Sequence, residues 1–218
     1  MLQLRLPTIL KVLALLSLVA VVTAGQARAS AELEPRETVK RAVDEIVGIL
    51  SDPELATDEA REQRHRLVVE QVEKFFDFDE ISMRVLGPRW RDLDDEQRRQ
   101  FVELFKKFLE RNYINRVDQY SDEKVVVRAQ EVREDSRGNR YARVQTDFII
   151  GDQQVPVDYR MIERDERWVV YDVRVEGVSL VRNFRSQFDP YSYGELISRM
   201  QEQIATGEGF ELDELEVL

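Results

Sequence analysis

The sequence predicts an α+β fold in which helices pack over one face of a curved, four-stranded antiparallel sheet. Apolar residues recur at spacings of three and four in the first half of the chain, which is typical of amphipathic helices. Between residues 124 and 178 the pattern changes to alternation of apolar and polar residues, which is typical of strands covered on one face. The segments that join these strands are short, and short connections favour an antiparallel meander.

Five helices are predicted at residues 35–50, 58–76, 78–86, 94–120 and 192–205. Each has apolar residues along one face of the helix and charged residues along the opposite face. Proline or glycine lies close to several of their ends, as expected for helix boundaries. The longest of the five, 94–120, is the element around which we expect the rest of the domain to fold.

The stripe of the 94–120 helix is broad and rich in phenylalanine. Asp94 and Gln97 have the spacing of a capping box, which fixes the start of the helix. The periodicity is compatible both with a helix that packs fully against the sheet and with one that partly lines an apolar cavity. The stripe consists of Phe101, Leu104, Phe105, Phe108, Leu109, Ile114 and Val117.

Four strands are predicted at residues 124–133, 140–150, 154–164 and 167–178. In each of the last three, alternate residues are apolar. The sets expected to share one face are Ala142, Val144, Thr146, Phe148 and Ile150; Val155, Val157, Tyr159 and Met161; and Val169, Tyr171, Val173 and Val175. Residues 181–185 are interpreted as a surface loop leading to the last helix, with a rim or docking element as the alternative.

Residues 1–29 have the pattern of a secretory signal peptide. Arg5 and Lys11 give a positively charged start. The apolar run that follows, 12–22, is too short for an ordinary membrane span. Ala27 and Ala29 then provide small residues for cleavage near Ala29. We therefore expect an exported protein, and a bacterial periplasm fits best. Residues 30–206 then form a single domain, and 207–218 form an acidic tail that we expect to be disordered.

Composition excludes several classes of function. The chain has 218 residues with 43 Asp+Glu against 32 Lys+Arg, and a nucleic-acid partner is not expected because it requires a basic surface. Cysteine is absent and His65 is the single histidine, so thiolate chemistry, disulfides and histidine-rich metal sites are excluded. No phosphate-binding loop, zinc-protease motif or nucleophile elbow occurs, and no cofactor is predicted.

Two stretches of the chain carry a family resemblance. The first is residues 76–87 (FDFDEISMRVLG) followed by Trp90-Arg91; the second is 171–188, with YDV at 171–173, EGVSLV at 176–181 and RSQF at 185–188. Together they resemble the MlaC/Ttg2D family, also called toluene-tolerance auxiliary proteins. The resemblance extends over residues 34–203, nearly all of the chain that follows the signal peptide.

The resemblance implies a periplasmic phospholipid-binding component of an ABC transport system, without catalysis. Such a protein carries phospholipid between an outer-membrane lipoprotein complex and an inner-membrane MCE-domain protein of the transporter, and so maintains outer-membrane lipid asymmetry. The lipid tails lie in an apolar cavity between the helices and the sheet. Two alternatives have a similar α+β fold: an enzyme acting on a small molecule, which would need a buried carboxylate or His65, and a ligand-free envelope scaffold.

The predicted faces indicate which side chains line the cavity, although each of them could equally belong to an ordinary core. From the long helix and from the three alternating strands, the predicted lipid-binding residues are Phe101, Phe105, Phe108, Val144, Phe148, Val157, Tyr159, Val169, Tyr171 and Val173.

Overall fold

A computed structural model describes residues 34–117 and 124–206. The predicted signal peptide, 1–29 with its cleavage site near Ala29, and the predicted acidic tail, 207–218, lie outside the described residues. Within the described ranges, no helix has both the length and the apolar character needed to cross a membrane.

The described residues contain six α-helices and one antiparallel sheet, so the α+β class is confirmed. The helices are α1 (Pro35–Leu50), α2 (Arg61–Phe75), α3 (Phe78–Leu86), α4 (Asp95–Val117), α5 (Leu180–Phe188) and α6 (Tyr193–Thr206), and a 3₁₀ helix (Gly87–Asp92) joins α3 to α4. The predicted bounds of α1 and α3 agree with these. The second helix begins three residues later than predicted, and the last residues of the predicted 94–120 helix lie outside the described ranges.

The start of α4 is fixed by the capping box that the sequence predicts. The Gln97 backbone N–H donates to Asp94 Oδ1 at 2.8 Å, and the Asp94 N–H donates to Gln97 Oε1 at 3.0 Å. Two backbone donors that the first turn leaves without helical partners are thereby satisfied. Arg98 then donates to the Trp90 carbonyl oxygen at 3.1 Å, which ties the first turn of α4 to the preceding connector.

The sheet is curved and has the strand order β1-β2-β3-β4-β5. Its strands are β1 (Lys124–Glu134), β2 (Arg140–Ile150), β3 (Gln153–Arg164), β4 (Arg167–Val175) and β5 (Val178–Ser179). All neighbouring strands are antiparallel, as the short connections predict. The two-residue turn Asp165-Glu166 has positive φ at both positions, 48° and 60°, which suits the twist of a tight hairpin.

The predicted fourth strand, 167–178, is too long. The structure ends β4 at Val175, turns at Glu176 and Gly177, and pairs Val178 back onto Val175 as the short strand β5. Both turn residues have positive φ, 49° and 88°, and glycine at the second position removes the steric cost there. The valines on either side of this turn continue the apolar run, and this continuity explains the overestimate.

The interpretation of residues 181–185 as a surface loop is wrong, because they belong to α5. The Ser179 hydroxyl caps this helix by accepting from the Arg182 N–H at 3.2 Å. Val181, Phe184 and Phe188 are buried, at spacings of three and four that place them on one face. Two turns of helix with three buried residues are too short a pattern to stand out in the sequence.

Two apolar clusters form the core. The first joins α3, α4, α5 and α6 around five phenylalanine rings, and the second joins α1 to one face of β2, β3 and β4. The Phe105 ring is central to the first cluster, with centroids 5.3 Å from Phe184 and 5.7 Å from Phe188 in edge-to-face contacts. These distances lie within the range in which aromatic pairs attract one another.

A register shift changes which residues of β4 face each cluster. The partners of β3 jump from Asp172 to Val170, so Tyr171 is the extra residue of a β-bulge. As a result Tyr171 and Val169 join the first cluster, whereas Val170 packs in the second. The predicted common face of Val169, Tyr171 and Val173 is therefore wrong, because alternation in sequence does not reveal a bulge.

Replacing Phe105 by alanine tests the aromatic cluster. Phe105 is fully buried, so Phe105→Ala removes ring contacts and leaves a void, and we expect a loss of about 3–5 kcal/mol in the free energy of unfolding. Urea denaturation followed by circular dichroism measures this loss. Lys107→Ala, at an exposed position of the same helix, is the control and should change stability by about 0.5 kcal/mol or less; a similar effect of both substitutions would contradict the central position of Phe105.

Candidate functional site

An apolar cavity of about 410 Å³ lies where α2, α3 and α4 meet one side of the sheet. Its volume falls in the range of roughly 300–1,000 Å³ that is common for sites of small ligands. Four of its lining residues are charged, and the others are apolar or aromatic. The lining is Val68, Val69, Val72, Glu73, Phe76, Phe78, Ile81, Lys106, Leu109, Glu110, Tyr113, Ile114, Phe148, Asp172, Val173, Val175, Val178 and Leu180.

One wall of the cavity is helical. Val68, Val69 and Val72 project from α2 at spacings of three and four, and therefore lie along one side of that helix. Leu109 and Tyr113 have the same relation on α4. The two helices contact each other at few positions, and the apolar side chains between them face a space that other side chains leave unfilled.

The opposite wall comes from the sheet. Phe148 of β2, with Val173 and Val175 of β4, lines the cavity. Phe148 pairs with Val155 and Val175 pairs with Val157, and positions two apart on β3 share a face, so all these side chains lie on one face of the sheet. The apolar alternation of the sequence thus supplies this wall directly.

Asp172 is the one buried charge among the described lining residues, and its role is structural. Its carboxylate accepts from the Ser179 hydroxyl at 2.8 Å and from the Val181 backbone N–H at 3.1 Å. The second bond reaches the first turn of α5, where a negative charge is favourable. Asp172 therefore holds α5 against β4 beside the cavity.

The other three charges lie at the rim. Glu73 and Glu110 are exposed, and Lys106 is partly buried. Lys106 Nζ lies 2.7 Å from Glu73 Oε1, so an ion pair joins α4 to α2 at this point. The Glu73 hydrogen bond and charge raise the pKa of the Lys106 ammonium, so that it is cationic at neutral pH.

The structure separates the ten predicted lipid-binding residues. Phe148 and Val173 line the cavity. The other eight are outside its lining: Phe101, Phe105, Phe108, Val169 and Tyr171 lie in the first cluster, Val144 lies in the second with Tyr159 packed against it, and Val157 is buried in the sheet. As a set of lipid contacts, the ten stay a prediction.

Much of the observed lining comes from residues outside the ten predicted lipid-binding residues, above all the valines of α2 and the C-terminal residues of the α4 stripe. The helical spacing of the sequence does indicate that these residues are on apolar faces. Leu109 and Ile114 belong to the predicted stripe, and Val68 and Val72 lie four residues apart in the second predicted helix, 58–76, which is the spacing of one helix face. The spacing does not tell which edge of a stripe meets a neighbouring helix and which edge faces a space.

The fold and this site define a class: an α+β protein with a ligand-sized apolar cavity enclosed by helices on one side and an antiparallel sheet on the other. The model of the family described as MlaC protein matches residues 40–201. The chain belongs to the MlaC family, as its two sequence motifs predict.

Two relatives document the similarity. The intermembrane phospholipid transport system binding protein MlaC of Haemophilus influenzae is 20% identical over 182 residues, which cover 80% of this chain and 84% of that protein. The phospholipid-binding protein of Ralstonia solanacearum, solved in complex with a phospholipid, has a TM-score of 0.70 and 23% identity. The match covers 80% of this chain and 99% of that one.

Filling the cavity tests whether it binds ligands. Val72→Trp places a large apolar side chain in the space between α2 and α4, and we expect affinity for an apolar fluorophore such as N-phenylnaphthylamine to fall at least tenfold, on the order of 1.4 kcal/mol. Fluorescence titration measures the affinity, and thermal unfolding shows that the fold is retained. Val132→Trp, at an exposed position of β1, is the matched control; equal affinity of the two variants would show that the fluorophore binds elsewhere.

Proposed function

We propose that this protein is a periplasmic phospholipid carrier that binds acyl chains in the cavity described above and catalyses no reaction. The observation that carries the proposal is the cavity itself, whose interior is apolar and whose exposed charges lie at the rim. The relatives from Haemophilus influenzae and Ralstonia solanacearum, a phospholipid transport system binding protein and a phospholipid-binding protein, support phospholipid as the ligand.

The energetics of acyl chains explain why a carrier is needed. Transfer of each methylene from water to an apolar environment is worth roughly 0.8 kcal/mol. A chain of about 16 carbons therefore costs on the order of 12 kcal/mol to expose to water. Free diffusion of phospholipid across an aqueous compartment is negligible at that cost, and an apolar cavity that travels with the lipid removes most of it.

The carrier connects two membranes in this proposal. It exchanges phospholipid with an outer-membrane lipoprotein complex and with an inner-membrane MCE-domain protein of an ABC transporter, and so maintains the lipid asymmetry of the outer membrane. The predicted signal peptide supports export to the periplasm. Without residues 1–29 the chain has 29 basic and 43 acidic residues, a net charge of −14. This charge disfavours adsorption to anionic lipid surfaces, so delivery depends on docking to proteins.

Both alternatives fit the site less well. A ligand-free scaffold does not need an apolar cavity of this size beneath its surface. An enzyme needs a reactive group in the cavity, whereas Asp172 is engaged in holding α5 and Lys106 is paired with Glu73. His65 is absent from the described lining, and the described residues include no group of three or more His, Asp or Glu side chains suited to a metal ion.

Phe148→Asp tests the proposed lipid site. Phe148 lies on the sheet wall of the cavity. A carboxylate at this position would lose its water when an acyl chain binds beside it, which is costly. We therefore expect the variant to lose its co-purified phospholipid. Native mass spectrometry of protein purified from a Gram-negative host, with lipid extraction, measures occupancy. The unchanged protein should carry phospholipid.

The control is Val132→Asp, the same kind of change at an exposed position of β1, which should leave occupancy unchanged. Circular dichroism of both variants separates loss of lipid from loss of fold. Unchanged protein that is free of lipid after purification and takes up none from vesicles would contradict the carrier function.

A further inference from the structure

Lys106 is the one cationic side chain among the described lining residues of the cavity. It lies on α4 one turn before Leu109 and Glu110, with about a quarter of its side chain exposed. Its ammonium lies 5.7 Å from the centre of the Phe78 ring, which belongs to the same lining. Lys106 therefore runs along the apolar wall and brings its charge to the level at which the cavity meets solvent.

Carboxylates outnumber cations around this ammonium. Glu73 on α2 is in contact at 2.7 Å, and Glu103, one turn back on α4, is 3.9 Å away. Glu110 also lies at the rim, one turn further along α4. The described rim residues thus carry more negative than positive charge, and among the described residues Lys106 is the one cation in ion-pair contact with Glu73.

The ion pair between Lys106 and Glu73 can exchange partners at little cost. Glu73 has 43% of its side chain exposed, and an ion pair with an exposed partner contributes little to stability. A phosphate oxygen can replace the Glu73 carboxylate on the ammonium without loss of charge pairing. The replaced carboxylate then lacks a cation, and a ligand that brings an amine beside its phosphate restores the balance.

We propose that Lys106 and Glu73 form a headgroup site selective for aminophospholipids. The Lys106 ammonium binds the phosphodiester, and the Glu73 carboxylate binds the primary ammonium of a headgroup such as ethanolamine. An anionic lipid such as phosphatidylglycerol satisfies Lys106 but leaves Glu73 facing a neutral hydroxyl. This assignment rests on the proposed function, because acyl chains in the cavity are what bring a headgroup to the rim.

The test is a competition for lipid. Delipidated protein is incubated with vesicles holding equal amounts of phosphatidylethanolamine and phosphatidylglycerol with the same acyl chains, and native mass spectrometry gives the ratio bound. The unchanged protein should favour phosphatidylethanolamine roughly two- to five-fold, the factor expected of an exposed ion pair. Glu73→Gln should abolish this preference, so that the two phospholipids bind in the vesicle ratio.

A second competition, between phosphatidylethanolamine and diacylglycerol, isolates the phosphate contact. Lys106→Met should lower the ratio of phospholipid to diacylglycerol roughly two- to five-fold, and Lys106→Arg, which keeps the charge, should restore most of it. Lys107→Met, an exposed lysine next in the chain and outside the described lining, is the matched control and should change neither ratio. Excess inorganic phosphate should not displace lipid, since the acyl chains supply most of the affinity; displacement would point to a site for free phosphate and overturn the assignment.

The outcomes separate this inference from the function on which it rests. Uptake of both phospholipids in the vesicle ratio, unchanged in Glu73→Gln and Lys106→Met, would overturn the headgroup site and leave the carrier function standing. Failure of the unchanged protein to take up any lipid, diacylglycerol included, would overturn both. Melting temperatures show whether the variants fold. If Lys106→Met does not fold, the conservative variants Lys106→Arg and Glu73→Gln still test the headgroup site.

Discussion

The cavity depends on how α4 divides its apolar surface between two neighbours. One edge of the helix, with Phe101, Phe105 and Phe108, is buried against the phenylalanines of α5 and apolar side chains of α3 and α6. The other edge, with Leu109 and Tyr113, faces α2 and the sheet across a space of about 410 Å³. A well-packed contact on the first edge holds α4 at a fixed distance from the sheet. Since packed cores resist compression, α4 cannot move inward to close the space.

The motif that carries the family resemblance mostly builds this support. Glu80, which is 6% exposed, accepts from Arg84 at 2.7 Å and from Arg164 of β3 at 2.8 Å. The Asp77 N–H donates to the Val170 carbonyl oxygen of β4 at 2.9 Å, so the start of α3 is fixed to the sheet edge. Because Glu80 is buried, the loss of both cationic partners would leave an uncompensated buried charge, which is strongly destabilising. The motif therefore attaches the helical layer to the sheet. It also contributes Phe76, Phe78 and Ile81 to the lining of the cavity.

The sequence predicts elements well where a pattern is long or ends in a clear signal. The α4 start follows from the Asp94–Gln97 capping box, and β2 agrees with its alternation over residues 140–150. Prediction fails where the deciding interaction is distant. The bulge at Tyr171 depends on pairing with β3, and α5 depends on phenylalanines of α4 that lie about 80 residues earlier. The site is predicted in part for the same reason: periodicity assigns Phe105 and Leu109 to one stripe but does not show which of them meets another side chain.

The distribution of charge in the site explains how the proposed carrier could select one phospholipid over another. Burial of acyl chains is non-directional and roughly proportional to apolar area, so in the proposed carrier the interior of the cavity would distinguish lipids only by the amount of chain they bury. Hydrogen bonds and charges distinguish one headgroup from another, and here they lie at the rim, on the exposed Glu73 and Glu110 and the partly buried Lys106. Because rim interactions are exposed, each contributes little affinity. In the proposed carrier, affinity and selectivity thus belong to different parts of the same cavity, and a change at the rim would alter the choice of lipid without weakening the burial of the acyl chains.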